Sequence, residues 1–292
     1  MIREPGLKSV TCTHPTGLHR MAYWEWLPDG DWHSAPKVVC VHGLTRNGRD
    51  FDLVASQLAD DGFHVVAPDI VGRGRSDRMM DSSLYAVPQY VADCITLIAR
   101  LDASEVGWLG TSMGGLIGMA IASQPGHQID RLLLNDVGPL LSAEGLARIQ
   151  TYVGSDPRYA SFEEGEAALR LLMSSFGPHT DEQFRLLSQH YLVRKGDQWG
   201  PHYDPAIAAP FKDSFTGEDI LLWPMYDSID VPVQVLRGAD SDLLPASVAD
   251  QMSERGPRAQ IVSFDGVGHA PTLITPDQTQ VVRRFFGAGS VG

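Results

Sequence analysis

The ten residues Val106-Gly107-Trp108-Leu109-Gly110-Thr111-Ser112-Met113-Gly114-Gly115 limit the fold of this chain more than any others. Val106, Trp108 and Leu109 are strand formers. They run into Gly110-x-Ser112-x-Gly114, and Leu116, Ile117, Met119, Ala120 and Ile121 follow with helical character. A strand that turns tightly into a helix holds its corner residue in a strained conformation and lifts that side chain above the sheet edge. The neighbours of such a corner must be small, because a Cβ there would collide, and Gly110 and Gly114 meet that need. With glycine at 29 of 292 positions, the five-residue pattern alone would arise by chance in roughly one such chain in five. Its weight therefore comes from its setting: a strand before it, a helix after it, and a candidate acid and then a candidate histidine downstream. Ser112 is the candidate nucleophile.

The rest of the chain supplies the sheet that this corner requires. Leu7 to Thr13 and Met21 to Leu27 alternate as strands around the Thr16-Gly17 turn signal and predict an opening hairpin. Lys37 to Val41 and His64 to Ala67 are continuous apolar runs of the kind buried on both faces of a parallel sheet. Between them, Phe51, Leu53, Val54 and Leu58 recur at helical spacing, and Gly62 ends that helix. Tyr90 to Leu101 reads as a second helix, Ile129 to Asn135 as another buried strand, and Val231 to Leu236 and Ala259 to Phe264 as the last two strands. Helices at Ala246 to Arg255 and Pro276 to Phe286 accompany those last strands. The alternation predicts a mostly parallel α/β sheet. Between about Leu140 and Asp227 the pattern changes: helical segments dominate (Ser142 to Val153, Phe162 to Phe176, Asp181 to Leu192). An irregular aromatic stretch follows, with Trp199, His202, Tyr203, Phe211, Phe215, Trp223 and Tyr226. The predicted organisation is a core of residues 1–138, a helical cap of 139–228, and a return to the core at 229–292.

Composition removes several functional classes. A net charge of −13 argues against a polyanion-binding surface and hence against nucleic acid as a partner. Cys12, Cys40 and Cys94 are odd in number and far apart, so they read as buried thiols rather than a disulfide framework or a zinc knuckle. No apolar run reaches the ~18 residues of a membrane helix, and Met1 to Gly6 lacks the apolar core of a signal peptide; a soluble cytoplasmic protein is the expectation. The glycine-rich loop Pro68 to Asp77 has neither the Walker spacing nor the third glycine of a dinucleotide site, so it reads as a structural loop at a strand end.

Five blocks then appear in a fixed order: His42-Gly43, Pro68-Asp69-x-x-Gly72-x-Gly74-x-Ser76, Gly110 to Gly115, Gly238-Ala239-Asp240-Ser241-Asp242, and Gly266-Val267-Gly268-His269. Together they resemble the α/β-hydrolase superfamily over nearly the whole chain, in particular its capped esterase-like and C–C-hydrolase-like members. The resemblance implies an α/β-hydrolase fold with an eight-stranded, mostly parallel sheet flanked by helices and a helical cap inserted after the sixth strand.

A serine hydroxyl is a poor nucleophile until a neutral imidazole takes its proton. His269 is the candidate base, because it alone among the ten histidines follows the final strand, in a glycine-flanked loop; His42 is expected to support the loop beside it. A carboxylate must orient that imidazole. Many relatives carry it three residues after the glycine ending the seventh strand, a position occupied here by Ser241. Relatives with a Ser-Asp-Leu/Val pattern point instead to the aspartate after the serine. Asp242 is therefore chosen over Asp240, with Asp136 at the end of the sixth strand as a third candidate. The resemblance assigns the two oxyanion donors to the backbone N–H groups of Leu44 and Met113, each worth on the order of 3 kcal/mol in comparable sites. A serine at position 112 disfavours epoxide hydrolysis and dehalogenation, which relatives perform with an aspartate there.

No histidine or carboxylate cluster has metal-ligand spacing, and the chemistry calls for no cofactor. The expectation is a serine hydrolase, carboxylesterase-like, that cleaves ester or related acyl bonds of a small, rather apolar molecule as a monomer or homodimer. C–C bond hydrolysis, lactone opening, acyl transfer, or ligand reception on a hydrolase fold are its alternatives.

Overall fold

The computed structural model describes residues 2–210 and 216–287. Eight strands form one sheet: β1 (Gly6–His14), β2 (Gly17–Trp26), β3 (Lys37–Val41), β4 (His64–Pro68), β5 (Val106–Thr111), β6 (Ile129–Asn135), β11 (Val233–Gly238) and β12 (Gln260–Phe264). Their spatial order is β1-β2-β4-β3-β5-β6-β11-β12. Only the pairings that involve β2 are antiparallel; the other five are parallel. β5 lies between β3 and β6, at the centre.

The continuous apolar runs divide their side chains between two cores, as the period of two in a strand dictates. Val39, Val41, Val66, Trp108, Leu132, Leu134 and Val235 face one side, where α2 (Val87–Arg100) contributes Cys94, Leu97 and Ile98 and α3 (Met113–Ala122) contributes Ile117, Met119 and Ile121. α8 (Ala246–Glu254) adds Val248 and Met252 to that core. Val38, Cys40, Val65, Ala67, Leu109, Leu133 and Leu236 face the other, against Val54, Ala55 and Leu58 of α1 (Asp52–Asp60) and Val282 and Phe286 of α9 (Pro276–Gly287). α2 starts three residues before its predicted onset, with Pro88 in its first turn. A proline is tolerated there because that turn needs no N–H donor to the helix ladder.

The segment between β6 and β11 is not wholly helical. It carries α4 (Ala143–Gln150), α5 (Phe162–Leu172), α6 (Asp181–Ser188) and the short α7 (Trp223–Asp227). Two small antiparallel pairs also lie in it: β7 (Leu140–Leu141) with β10 (Ile220–Leu221), and β8 (Leu192–Lys195) with β9 (Gln198–Pro201). The second is a hairpin on the two-residue turn Gly196-Asp197, a dipeptide that signals such a turn. Ser142, Ser161 and Thr180 cap the three longer helices through their side chains. Of the aromatic residues in the irregular stretch, Tyr203 and Tyr226 are buried and Trp199 packs edge-on against Phe162. Phe211 and Phe215 lie outside the described residues. Among the described residues, no helix is long and apolar enough to cross a membrane.

The insertion docks on the loops at the carboxyl ends of β3 and β4. Arg46 Nη2 donates to Leu187 O at 2.8 Å and Asn47 Nδ2 to His190 O at 2.8 Å. Gly74 N–H donates to His202 Nδ1, and Asp204 N–H to Gly72 O, both at 2.8 Å. The glycine-rich loop after β4 thus holds the insertion in place.

At the corner after β5, a Cβ on Gly110 would stand 2.3 Å from the Gly114 carbonyl carbon, and one on Gly114 would stand 2.0 Å from Val41 O. Backbone, unlike a flexible side chain, cannot yield to such a contact. Gly114→Ala is expected to cost about 3 kcal/mol, read as a fall of several degrees in Tm. An unchanged Tm would mean that the corner has room which this packing denies.

Candidate active site

Strand register brings the site together. Thr111 pairs with Asn135, and Asn135 with Leu236, so the residues just past the ends of β5, β6 and β11 lie side by side. Ser112, the first residue beyond β5, has φ 51° and ψ −112°, in the left-handed half of backbone space that an L-residue occupies only when its surroundings enforce it. Its Oγ lies 3.0 Å from Nε2 of His269, which follows β12 and is almost buried.

His269 Nδ1 lies 2.7 Å from Oδ2 of Asp136, the first residue beyond β6, also with positive φ (58°) and fully buried. Three donors converge on this carboxylate: the imidazole, the Gly238 N–H at 2.8 Å, and the Ser241 hydroxyl at 2.6 Å. A buried carboxylate with that many donors offsets its lost hydration. Ser241 Oγ in turn accepts from the N–H groups of Leu243 and Leu244, which fixes its hydroxyl toward Asp136.

Asp242, the expected acid, does not contact His269. Its carboxylate pairs with Arg148 of α4, Nη2 donating to Oδ1 at 2.9 Å and Nε to Oδ2. Burial would raise the Asp242 carboxyl, but its bond to the Arg148 guanidinium, with a lesser attraction to His269, outweighs that and holds the group below its ordinary range. Asp240 is exposed. The physical reason is local. The chain turns after β11 so that Ser241 meets Asp136, and the next side chain meets Arg148 of the insertion instead. The carboxylate that meets His269 comes instead from the end of the neighbouring strand β6, with the Ser241 hydroxyl bonded to it.

The two backbone N–H groups expected to face an oxyanion, on Leu44 and Met113, flank Ser112. Among the described residues neither donates to a protein acceptor. Arg73, in the glycine-rich loop that reads from sequence as structural, ties their residues together: Nε donates to Leu44 O at 2.9 Å and Nη2 approaches Met113 Sδ at 3.6 Å. Arg73 is 1% exposed, donates further to Val71 O and the Tyr90 hydroxyl, and has no acidic partner among the described residues. His42 supports the same region. Its Nε2 accepts the Ile70 N–H and its Nδ1 contacts Gly43 O, while burial pushes its pKa down to about 3, so it stays neutral.

Two cavities open at Ser112. One, of about 250 Å³, is lined by apolar side chains including Leu116, Val137, Leu146, Ile149 and Leu243, with Met113 and Tyr90. The other, of about 80 Å³, is bordered by His269, Arg46, Arg148, Tyr152, Met173 and Tyr191. The late aromatics of the insertion (Trp199, Tyr203, Trp223, Tyr226) border neither, among the described residues. Cys12, His19 and Asp93, which border neither cavity, come together with ligand-type atoms within 4.8 Å of one another, a grouping that their spacing does not reveal. His19 Nε2 and Gln89 Nε2 hold the two oxygens of Asp93 at 2.9 and 2.7 Å, and burial pushes the Cys12 thiol up to about 12. The three cysteines of the chain are buried free thiols.

A hydroxyl, imidazole and carboxylate in hydrogen-bonded sequence, with open N–H groups beside the hydroxyl, constitute the equipment for acyl transfer. Comparison with known proteins agrees at the level of family. Residues 38–284 match the model of the alpha/beta hydrolase family. The chain is similar to a 3-hydroxybutyrate-oligomer hydrolase of Cupriavidus necator, 47% identical over 98% of this chain and 99% of that protein. It is also similar to a pimeloyl-[acyl-carrier protein] methyl ester esterase of Vibrio cholerae, 26% identical over 86% of this chain and 92% of that one. Among solved structures, an alpha/beta hydrolase from Novosphingobium aromaticivorans superposes with a TM-score of 0.87 at 33% identity, covering 98% of this chain and 99% of that chain. The eight-stranded sheet, the serine at its central corner and these relatives converge: this chain belongs to the alpha/beta hydrolase family and is an ester-acting hydrolase.

Proposed function

We propose that the protein is a serine hydrolase that cleaves the ester bonds of short linear oligomers of 3-hydroxybutyrate, or of closely similar hydroxy acids, through an acyl-enzyme on Ser112. The observation that carries the mechanism is the chain of contacts Ser112 Oγ, His269 Nε2, His269 Nδ1, Asp136 Oδ2 at the meeting point of two cavities. What supports the substrate class is the relative that acts on such oligomers, together with an apolar cavity suited to a short acyl chain.

In the first half-reaction His269 accepts the Ser112 proton as Oγ attacks the ester carbonyl. The carbonyl oxygen becomes an oxyanion received by the Leu44 and Met113 N–H groups. The ester C–O bond then breaks, and the leaving oxygen takes the proton from His269. In the second half-reaction His269 draws a proton from water, the hydroxide adds to the acyl carbon, and the bond to Ser112 Oγ breaks as the proton returns to the serine. Asp136 orients the imidazole and stabilises the imidazolium in both halves. Residues 139–228 act as a cap that roofs the site and selects the substrate.

The purified protein should convert the linear dimer and trimer of 3-hydroxybutyrate to monomer, followed by chromatography. Turnover of simple esters without release of monomer from either oligomer would overturn the substrate assignment.

A further inference from the structure

The two cavities at Ser112 differ in chemistry, and His269 says which half of the substrate each one takes. His269 Nε2 must hand its proton to the leaving oxygen, so the leaving alcohol has to lie on the imidazole side. His269 borders the small cavity and not the large apolar one. The acyl half is left to the apolar cavity.

We infer that the small cavity is a carboxylate subsite, in which Arg148, assisted by Arg46, binds the free carboxylate of the leaving hydroxy acid. The enzyme therefore reads the carboxylate end of an oligoester and releases its terminal unit first. This rests on the serine-esterase reading above and names the substrate form that site prefers.

Both guanidiniums border the cavity, and each is held from behind by its own acid. Arg148 spends Nε and Nη2 on Asp242. Arg46 spends Nε and Nη2 on Asp50 at 2.7 and 2.6 Å, with Nη2 also donating to Leu187 O at 2.8 Å, and among the described residues its Nη1 meets the Met173 sulfur at 3.8 Å. Neither Asp50 nor Asp242 borders the cavity, so among the described residues the charge that faces it is positive. The Tyr152 hydroxyl adjoins the Arg148 guanidinium and adds a further polar group. A planar guanidinium matches a carboxylate better than it matches a neutral ester or an alkyl group. The Arg148 side chain is 38% exposed, so solvent screens part of its attraction and the effect is moderate.

The test compares two substrates that differ only at this group: the 3-hydroxybutyrate dimer with a free carboxylate, and its methyl ester. For wild type, kcat/KM for the free acid should exceed that for the methyl ester by about tenfold or more, the effect of one charge-assisted contact. Arg148→Gln should bring the ratio close to one, and Arg148→Lys should restore part of it. Asp242→Asn breaks the same ion pair but leaves the cation in place, so it should keep a clear preference for the acid. A wild type that treats the two dimers alike, or an equal loss of preference in Arg148→Gln and Asp242→Asn, would overturn the subsite and leave a merely structural bridge. If wild type cleaves neither dimer, and a fluorophosphonate leaves Ser112 unlabelled, the esterase reading itself falls and this inference with it.

Discussion

Ser112→Ala should lower kcat for a neutral ester such as p-nitrophenyl butyrate by about a millionfold, and His269→Ala should do nearly the same. The combined variant should be scarcely worse than either single one. That lack of additivity follows from chemistry: without the imidazole the hydroxyl keeps its proton, and without the hydroxyl the imidazole has nothing to activate. The geometry behind the expectation is a 3.0 Å contact that depends on a strained corner at Ser112 and on the loop after β12. Uptake of a fluorophosphonate, read by intact mass, should be abolished in Ser112→Ala and much slower in His269→Ala. A Ser112→Ala enzyme with a tenth of wild-type turnover would move the nucleophile elsewhere.

Much of this arrangement can be read from the sequence because the constraints are local. Gly110 and Gly114 announce a corner on which any Cβ would strike backbone, and the buried runs Val38 to Val41 and Leu132 to Leu134 announce strands covered on both faces. His269 is legible because it alone follows the final strand. The acid is not legible in the same way. Choosing among Asp136, Asp240 and Asp242 requires knowing which strand end reaches His269 Nδ1, and that depends on the register of β6 against β11, residues a hundred positions apart in the chain. One signal points toward the adjacent strand end: a serine at 241 cannot stabilise an imidazolium, which leaves Asp136 as well as the flanking Asp240 and Asp242 to supply the carboxylate. The insertion follows the same rule. Its helices show in their spacing, whereas β8 and β9, four residues each, carry too little alternation to stand out beyond the Gly196-Asp197 turn. The cavity-lining Arg46, Tyr152 and Tyr191 come from three separate segments, and only the fold assembles them.

Asp136→Asn should therefore lower kcat by about ten-thousandfold, while Asp242→Asn stays within about tenfold of wild type on a neutral ester. The difference lies in what each carboxylate holds. Asp136 accepts from His269 Nδ1 at 2.7 Å and is itself fixed by the Gly238 N–H and the Ser241 hydroxyl. An asparagine there keeps the size but loses the negative charge that the imidazolium requires, and its amide can present N–H groups where Nδ1 needs an acceptor. The imidazole would then settle in the wrong tautomer, with Nε2 protonated and unable to take the Ser112 proton. Asp242 makes its side-chain bonds to Arg148, a partly exposed pair some of whose strength is already lost to solvent. Because Asp136 is buried, its substitution also calls for a fold control: circular dichroism and Tm should stay near wild type, so that lost turnover reports on the imidazole. Equal losses in the two variants, with both folded, would mean that Asp242 acts on His269 during turnover. The reverse order of losses would return the acid to the loop after β11 and leave Asp136 as a residue that only braces Ser241 and Gly238.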